Sequence, residues 1–289
     1  MSPDRDHADG GCRDCGRFFI DVIGQFQRPD VRVAWREESR TIPPALGRHI
    51  EETWLAETDR AAKNDVLLYD GQLCRMIEFE TSAGRLSLTL GRTSYKEFLA
   101  TNLMGAHLLY THGLEALANP LGVSMAVTTS DGFLLLGRRS QKVVYNPGRI
   151  HPIGGIVEAG RSPSGLPDPF ESILQELRTE ANVTPDLIGE VMCLGLVRDK
   201  RIIQPELVFD ATLKVDAPAL RKLASQAPDA QEHDNLILLM NYPSSVVTFM
   251  ENHSEVLTPV ATATLLLHGL RHWGSGWFAS ARGYLQSVV

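Results

Sequence analysis

The sequence predicts an α/β protein with a smaller α+β region ahead of its main domain. Three observations carry that prediction. After residue 119, apolar strand-like runs alternate with helical patterns. Before it, one amphipathic helix precedes a hairpin. Between them residues 119–122, Asn-Pro-Leu-Gly, punctuate the chain where the pattern changes. A chain of 289 residues can bury one good-sized core, or one core and a small companion. Its 43% hydrophobic and 22% charged composition is that of a globular protein, not a disordered one.

The elements follow in chain order. Residues 1–17 read as a flexible polar leader, with Asp4, Asp6, Asp9 and Asp14 among glycines and arginines. Residues 18–118 form the N-terminal α+β domain. Within it a helix is predicted over 46–58, where Ile50, Trp54 and Leu55 share one side. Runs 73–80 and 85–91 flank Ser82-Ala83-Gly84 and read as a hairpin. A second helix is expected over 95–117, broken near Gly105 or Gly113. Residues 119–289 form the main domain. Runs 123–129 and 133–139 enclose Asp131-Gly132, a strong hairpin signal. Asp168 then stands at an N-cap, Pro169 at the first helical position and Glu171 where a capping box closes, so a helix is predicted over 169–181. Ile173, Leu174 and Leu177 give it an apolar stripe. Strand-like runs follow at 191–198 and 206–213, and an apolar segment over 257–270 reads as a C-terminal helix. No internal repeat or low-complexity tract occurs.

Charge and apolar length exclude whole classes of function. Lys+Arg 28 against Asp+Glu 35 gives a net charge of −7, which provides no field for collecting nucleic acid. No run reaches the roughly eighteen apolar residues of a membrane span. The acidic leader lacks the apolar centre of a signal peptide, so a cytoplasmic protein is expected. Cys12 and Cys15 form one Cys-x-x-Cys pair without a second to complete a zinc site, and adding His7 still leaves it a ligand short. Cys74 and Cys193 complete the set, and no disulfide framework is indicated.

Glu176 and Glu180 carry the clearest chemical signal. Four residues apart on a helix, they project from one face about 6 Å apart along the axis. Such a pair is repulsive unless a hard divalent cation sits between the carboxylates, and Mg²⁺ accepts that arrangement together with phosphate oxygens. Spacing alone would equally describe a solvated helix face.

The surrounding residues resolve that ambiguity. Gly154-Gly155-Ile156-Val157-Glu158-Ala159-Gly160, followed by Gln175-Glu176-Leu177-Arg178-Thr179-Glu180, resembles the Nudix box, a loop–helix–loop that holds metal against a pyrophosphate. Several positions depart from the family pattern. Arg161 stands for its first Glu, Gln175 for its Arg, Thr179 for one helix carboxylate and Asn182 for its closing Gly, and the spacer is longer. Residues 90–98, Thr101-Asn102, 119–123, 137–140 and 174–176 are similar to one subfamily, the uridine diphosphate glucose pyrophosphatase type, from about residue 46 onward.

The resemblance implies a Nudix α/β/α sandwich around a mixed β-sheet, with the N-terminal domain capping the site. It implies a hydrolase cleaving the phosphoanhydride of a nucleoside-diphosphate sugar, UDP-glucose to UMP and glucose 1-phosphate, with Mg²⁺ or Mn²⁺ as cofactor. Glu176 and Glu180 would be catalytic residues and metal ligands, with Glu176 also activating the water. Glu158 and Glu206 are further acidic candidates that could offset Thr179. Gly154, Gly155, Arg138 and Arg139 would contact substrate, since arginine forks suit phosphate oxygens. His151 is a further loop candidate. Two other readings stay open: hydrolysis of ADP-ribose or another nucleoside diphosphate derivative, and a catalytically silent binder of nucleotide sugars, which Arg161 and Thr179 would favour.

Overall fold

The structure is a computed structural model that describes residues 13–38, 40–64, 66–159 and 165–287. The chain opens with β1 (Arg13–Asp14), β2 (Phe18–Phe26), β3 (Val31–Trp35), α1 (Pro44–Lys63), β4 (Gln72–Ser82) and β5 (Arg85–Ser94). Short helical pieces α2 (Tyr95–Phe98) and α3 (Leu109–His112) lead to β6 (Gly122–Thr128), β7 (Phe133–Arg139), β8 (Ile150–His151) and β9 (Ile153–Ile156). Next come α4 (Pro169–Ala181), β10 (Ile188–Asp199), β11 (Pro205–Leu213) and α5 (Ala217–Ala224). The order ends with β12 (His233–Met240), α6 (Pro243–Asn252) and α7 (Pro259–Ser287).

A mixed sheet runs β1-β2-β10-β11-β6-β7-β12, with β8 added on β7 and β9 on β6. Only its β6–β11 pair is parallel among these neighbours, with Gly122 opposite Glu206. Alternation along β6 shows why the sheet is covered twice. Val123, Met125 and Val127 enter one cluster with Ile173 and Leu177 of α4 and Leu220 of α5. Ala126 enters the other, with Val246 and Met250 of α6 and Ala261 and Leu265 of α7. The result is an α/β/α sandwich, as expected.

The second sheet, β3-β5-β4, packs its Leu86, Leu88 and Leu90 into the cluster that α4 shares. Backbone bonds tie it to the main sheet, from Cys74 N to Val157 O at 2.8 Å and from Leu121 N to Cys74 O at 2.8 Å.

Three local expectations change. Phe18–Phe26, assigned from sequence to the N-terminal domain, lies inside the main sheet and pairs with β10 from Phe18↔Asp199 to Phe26↔Cys193. A period-two pattern identifies a strand but carries no information about its partner. The leader is structured at its described end, where β1 pairs with Phe19 and Ile20 and Cys15 is buried; Cys12 and His7 lie outside the described residues. The helix expected over 95–117 is a series of short turns, interrupted at both Gly105 and Gly113, and Gly113 adopts φ 75°. β12 and α6, which close the sheet and its far face, had no counterpart in the sequence reading. No helix among the described residues is long and apolar enough to cross a membrane.

Candidate active site

The helix carrying the two carboxylates is fixed at both ends by its own sequence. Asp168 Oδ1 accepts from Phe170 N at 2.9 Å and Glu171 N at 3.3 Å, the N-cap expected there. Glu171, expected to close a capping box, meets Arg28 at 3.3 Å. At the other end Asn182 takes a left-handed conformation, φ 53° and ψ 33°. That conformation explains the glycine of the family pattern, and asparagine is the side chain that tolerates it best.

Both carboxylates face the glycine pair of β9. A Cβ on Gly155 would lie 2.2 Å from Glu176 Oε1, so the half-buried carboxylate occupies the space that glycine leaves open. Gly154 N donates to Glu180 Oε1 at 3.3 Å, and a Cβ on Gly154 would lie 2.5 Å from Val123 O. Glu180 is enclosed, 3% exposed, and its Oε2 lies 2.6 Å from His233 Nε2. Gly137 makes that ring fit, since a Cβ there would reach within 2.2 Å of His233 Nδ1.

Sequence reasoning did not find His233 or its neighbour Glu232. The short turn Ala230–Glu232 packs beside the end of α4, and Asp229 N donates to Thr179 O at 2.9 Å. Burial raises the pKa of Glu232, and the charge of Glu180 adds to that rise. A further carboxyl group therefore stands within electrostatic reach of the position where Thr179 lacks one.

The remaining candidates are distributed as follows. Arg139 pairs across the strand with His233, which turns it to the face of Glu180; its Nε donates to Tyr145 O at 3.0 Å. Alternation puts Arg138 on the opposite face, where Nη1 donates to Gly148 O at 2.8 Å. Glu158 bridges to Leu73 beside Cys74, whose thiol is pushed up to about 12 by burial and then by the Glu158 charge. Glu206 lies against Gly122 and bonds Ser124, which turns toward Thr264 of α7, and burial pushes its carboxyl up to about 8. His151 Nδ1 lies 2.8 Å from Thr258 Oγ1, and burial holds its ring pKa well below the usual value. Arg161 lies outside the described residues.

No family model matches the chain. Uridine diphosphate glucose pyrophosphatase NUDT22 of Bos taurus is 38% identical over 207 residues, covering 64% of this chain and 71% of its own. The Mus musculus protein of that name is 36% identical over 211 residues, covering 65% and 68%. The chain belongs to this family of Nudix hydrolases. Among solved structures, the MutT protein from Methanosarcina mazei Go1 overlays on 54% of this Nudix chain and 96% of its own, at 16% identity and a TM-score of 0.36. That overlay is partial, and membership rests on the relatives in sequence.

Nudix hydrolases are enzymes of phosphorus anhydrides and generally use divalent metal cations. The residues of α4 suit such a cation. Their donors are hard carboxylate oxygens, and the bonds from Gly154 N and His233 engage Glu180 while leaving each oxygen a second lone pair. Ligating carboxylates are commonly held by outer hydrogen bonds of this kind.

Proposed function

We propose that this Nudix hydrolase is a Mg²⁺-dependent pyrophosphohydrolase of nucleoside-diphosphate sugars, with UDP-glucose as the first candidate substrate. The observation that carries the proposal is the seating of Glu176 on Gly155 and of Glu180 between Gly154 and His233. Relatives named uridine diphosphate glucose pyrophosphatase supply the substrate class.

Glu176, Glu180 and Glu232 would hold the cation, with Glu232 taking the part that Thr179 leaves open. Bound there, it would neutralise pyrophosphate charge and lower the pKa of a water. Glu176, half-buried beside the glycine strand, would accept that water's proton. Arg139, on the face of Glu180, offers a guanidinium to phosphate oxygens. His233 acts through Glu180 by orienting it. The water oxygen bonds to phosphorus, the bridging P–O bond breaks, and UMP and glucose 1-phosphate leave.

Turnover of UDP-sugars, ADP-ribose and NADH with Mg²⁺ tests this directly, using Glu176→Gln and Glu180→Gln as controls. The expected result is UMP release from UDP-glucose, reduced by about 10²-fold or more in both variants. Cleavage of ADP-ribose or NADH alone would move the substrate assignment. Binding of UDP-glucose without turnover of any compound would favour the silent binder.

A further inference from the structure

On the face of the sheet opposite α4, β11 and α7 bring together two imidazoles and a carboxylate. Asp210 and His268 are both fully buried. Asp210 Oδ2 lies 2.5 Å from His268 Nδ1, and Asp210 Oδ1 lies 3.3 Å from His272 Nε2. His268 and His272 stand one turn apart on α7, with ring centroids at 4.4 Å. One ligand atom from each of the three residues lies within 4.8 Å of the other two.

The partners around the trio point the same way. His268 Nε2 is 2.9 Å from Asn241 Oδ1, an oxygen that only accepts. With Nε2 donating to that oxygen, Nδ1, which here donates to Asp210 Oδ2, is the nitrogen that would release its hydrogen to ligate an entering cation. An outer carbonyl that fixes the tautomer of a ligating histidine is a usual companion of metal sites. Arg271 Nη1 sits 3.2 Å from Asp210 Oδ1, yet its Nη2 also meets Glu190 Oε2 at 2.5 Å. A cation can displace the first contact while Arg271 keeps the second. The His272 side chain is 34% exposed, which gives a cation an entry path.

We propose that Asp210, His268 and His272 form a second metal site, independent of the hydrolytic centre, for a borderline transition-metal cation of the Zn²⁺ class. Two imidazole nitrogens and one carboxylate favour that class over Mg²⁺, which prefers oxygen. The bound ion would clasp α7 to β11. Every ligand comes from the sheet or a helix, so the site is held by regular structure on both sides.

The test is a titration of the full chain, stripped with a chelator, with Zn²⁺ in saturating Mg²⁺, followed by Co²⁺ substitution. One bound Zn²⁺ per chain is expected, with the visible absorption of low-coordinate Co²⁺. Binding should be lost in Asp210→Asn and in His272→Ala, whose partly exposed position lets the fold persist. It should weaken about 10- to 100-fold in Asn241→Ala and remain in Glu176→Gln/Glu180→Gln. Absence of Zn²⁺ binding in the parent chain, survival of binding in His272→Ala, or competition by Mg²⁺ would each overturn the proposal. Failure of UDP-glucose turnover would leave it untouched.

Discussion

Glu176 keeps its position because Gly155 has no side chain, so the smallest addition there should act on chemistry before stability. The overlapping atom is the end of a flexible carboxylate, and Gly155→Ala should displace it rather than unfold the strand. The expected result is a kcat lower by about 10²-fold with an unchanged thermal midpoint, measured on the same preparation. Retained kcat would separate Glu176 from the rate. Glu206 offers a second test at this scale. Burial lifts its carboxyl from 4.5 to about 8, so the folded chain holds that proton more tightly than the unfolded chain. Its contribution is full below pH 4.5 and is lost as pH rises to about 8. Urea unfolding of the parent chain should therefore lose up to about 5 kcal/mol across that window, relative to Glu206→Gln. Equal pH slopes would mean Glu206 ionises as readily folded as unfolded.

At the scale of the element, α4 was legible from residues inside it. Asp168, Pro169 and the Ile173–Leu177 stripe fixed its start and its buried side, and the structure reproduces 169–181. Asn182 was noted in the sequence as a departure from glycine, and its left-handed φ of 53° shows what glycine is for at that position. Asn182→Ala should cost about 1 kcal/mol, whereas Asn182→Gly should leave stability within a few tenths; chemical denaturation of the two variants distinguishes them. His233 and Glu232 were not legible. They enter from a turn and a strand some 50 residues downstream of the helix, and no spacing rule links them to Glu180. Thr179 marked the missing carboxylate without indicating where another would come from. Arg138 and Arg139 read as equivalent in sequence, and only the strand's register separates them.

Across the whole molecule, the break at 119–122 marks a change of pattern but not a division of the main sheet. β2 covers one edge of β10, and Val22 and Phe26 share a core with Leu177 and Phe209. A chain of residues 119–289 alone would leave β10 with an open edge and part of that core in water. Such a fragment should aggregate or melt without cooperativity, as followed by circular dichroism and light scattering. A soluble fragment with a sharp melt would make the first 118 residues an appendage. Four of the sheet's strands, β6, β7, β10 and β11, matched apolar runs in the sequence, while β12 and the order of the strands across the sheet did not.

The pairing of β2 with β10 also sets a timetable. Phe18–Phe26 meets its neighbour roughly 170 residues later in the chain. At ribosomal speeds that is roughly 10–30 s of synthesis. Throughout that interval a segment rich in phenylalanine and isoleucine has only the two-residue β1 to lie against, while β4 and β5, next to each other in sequence, can already pair. The chain thus builds its small sheet early, and the first long strand it makes is one of the last to be placed.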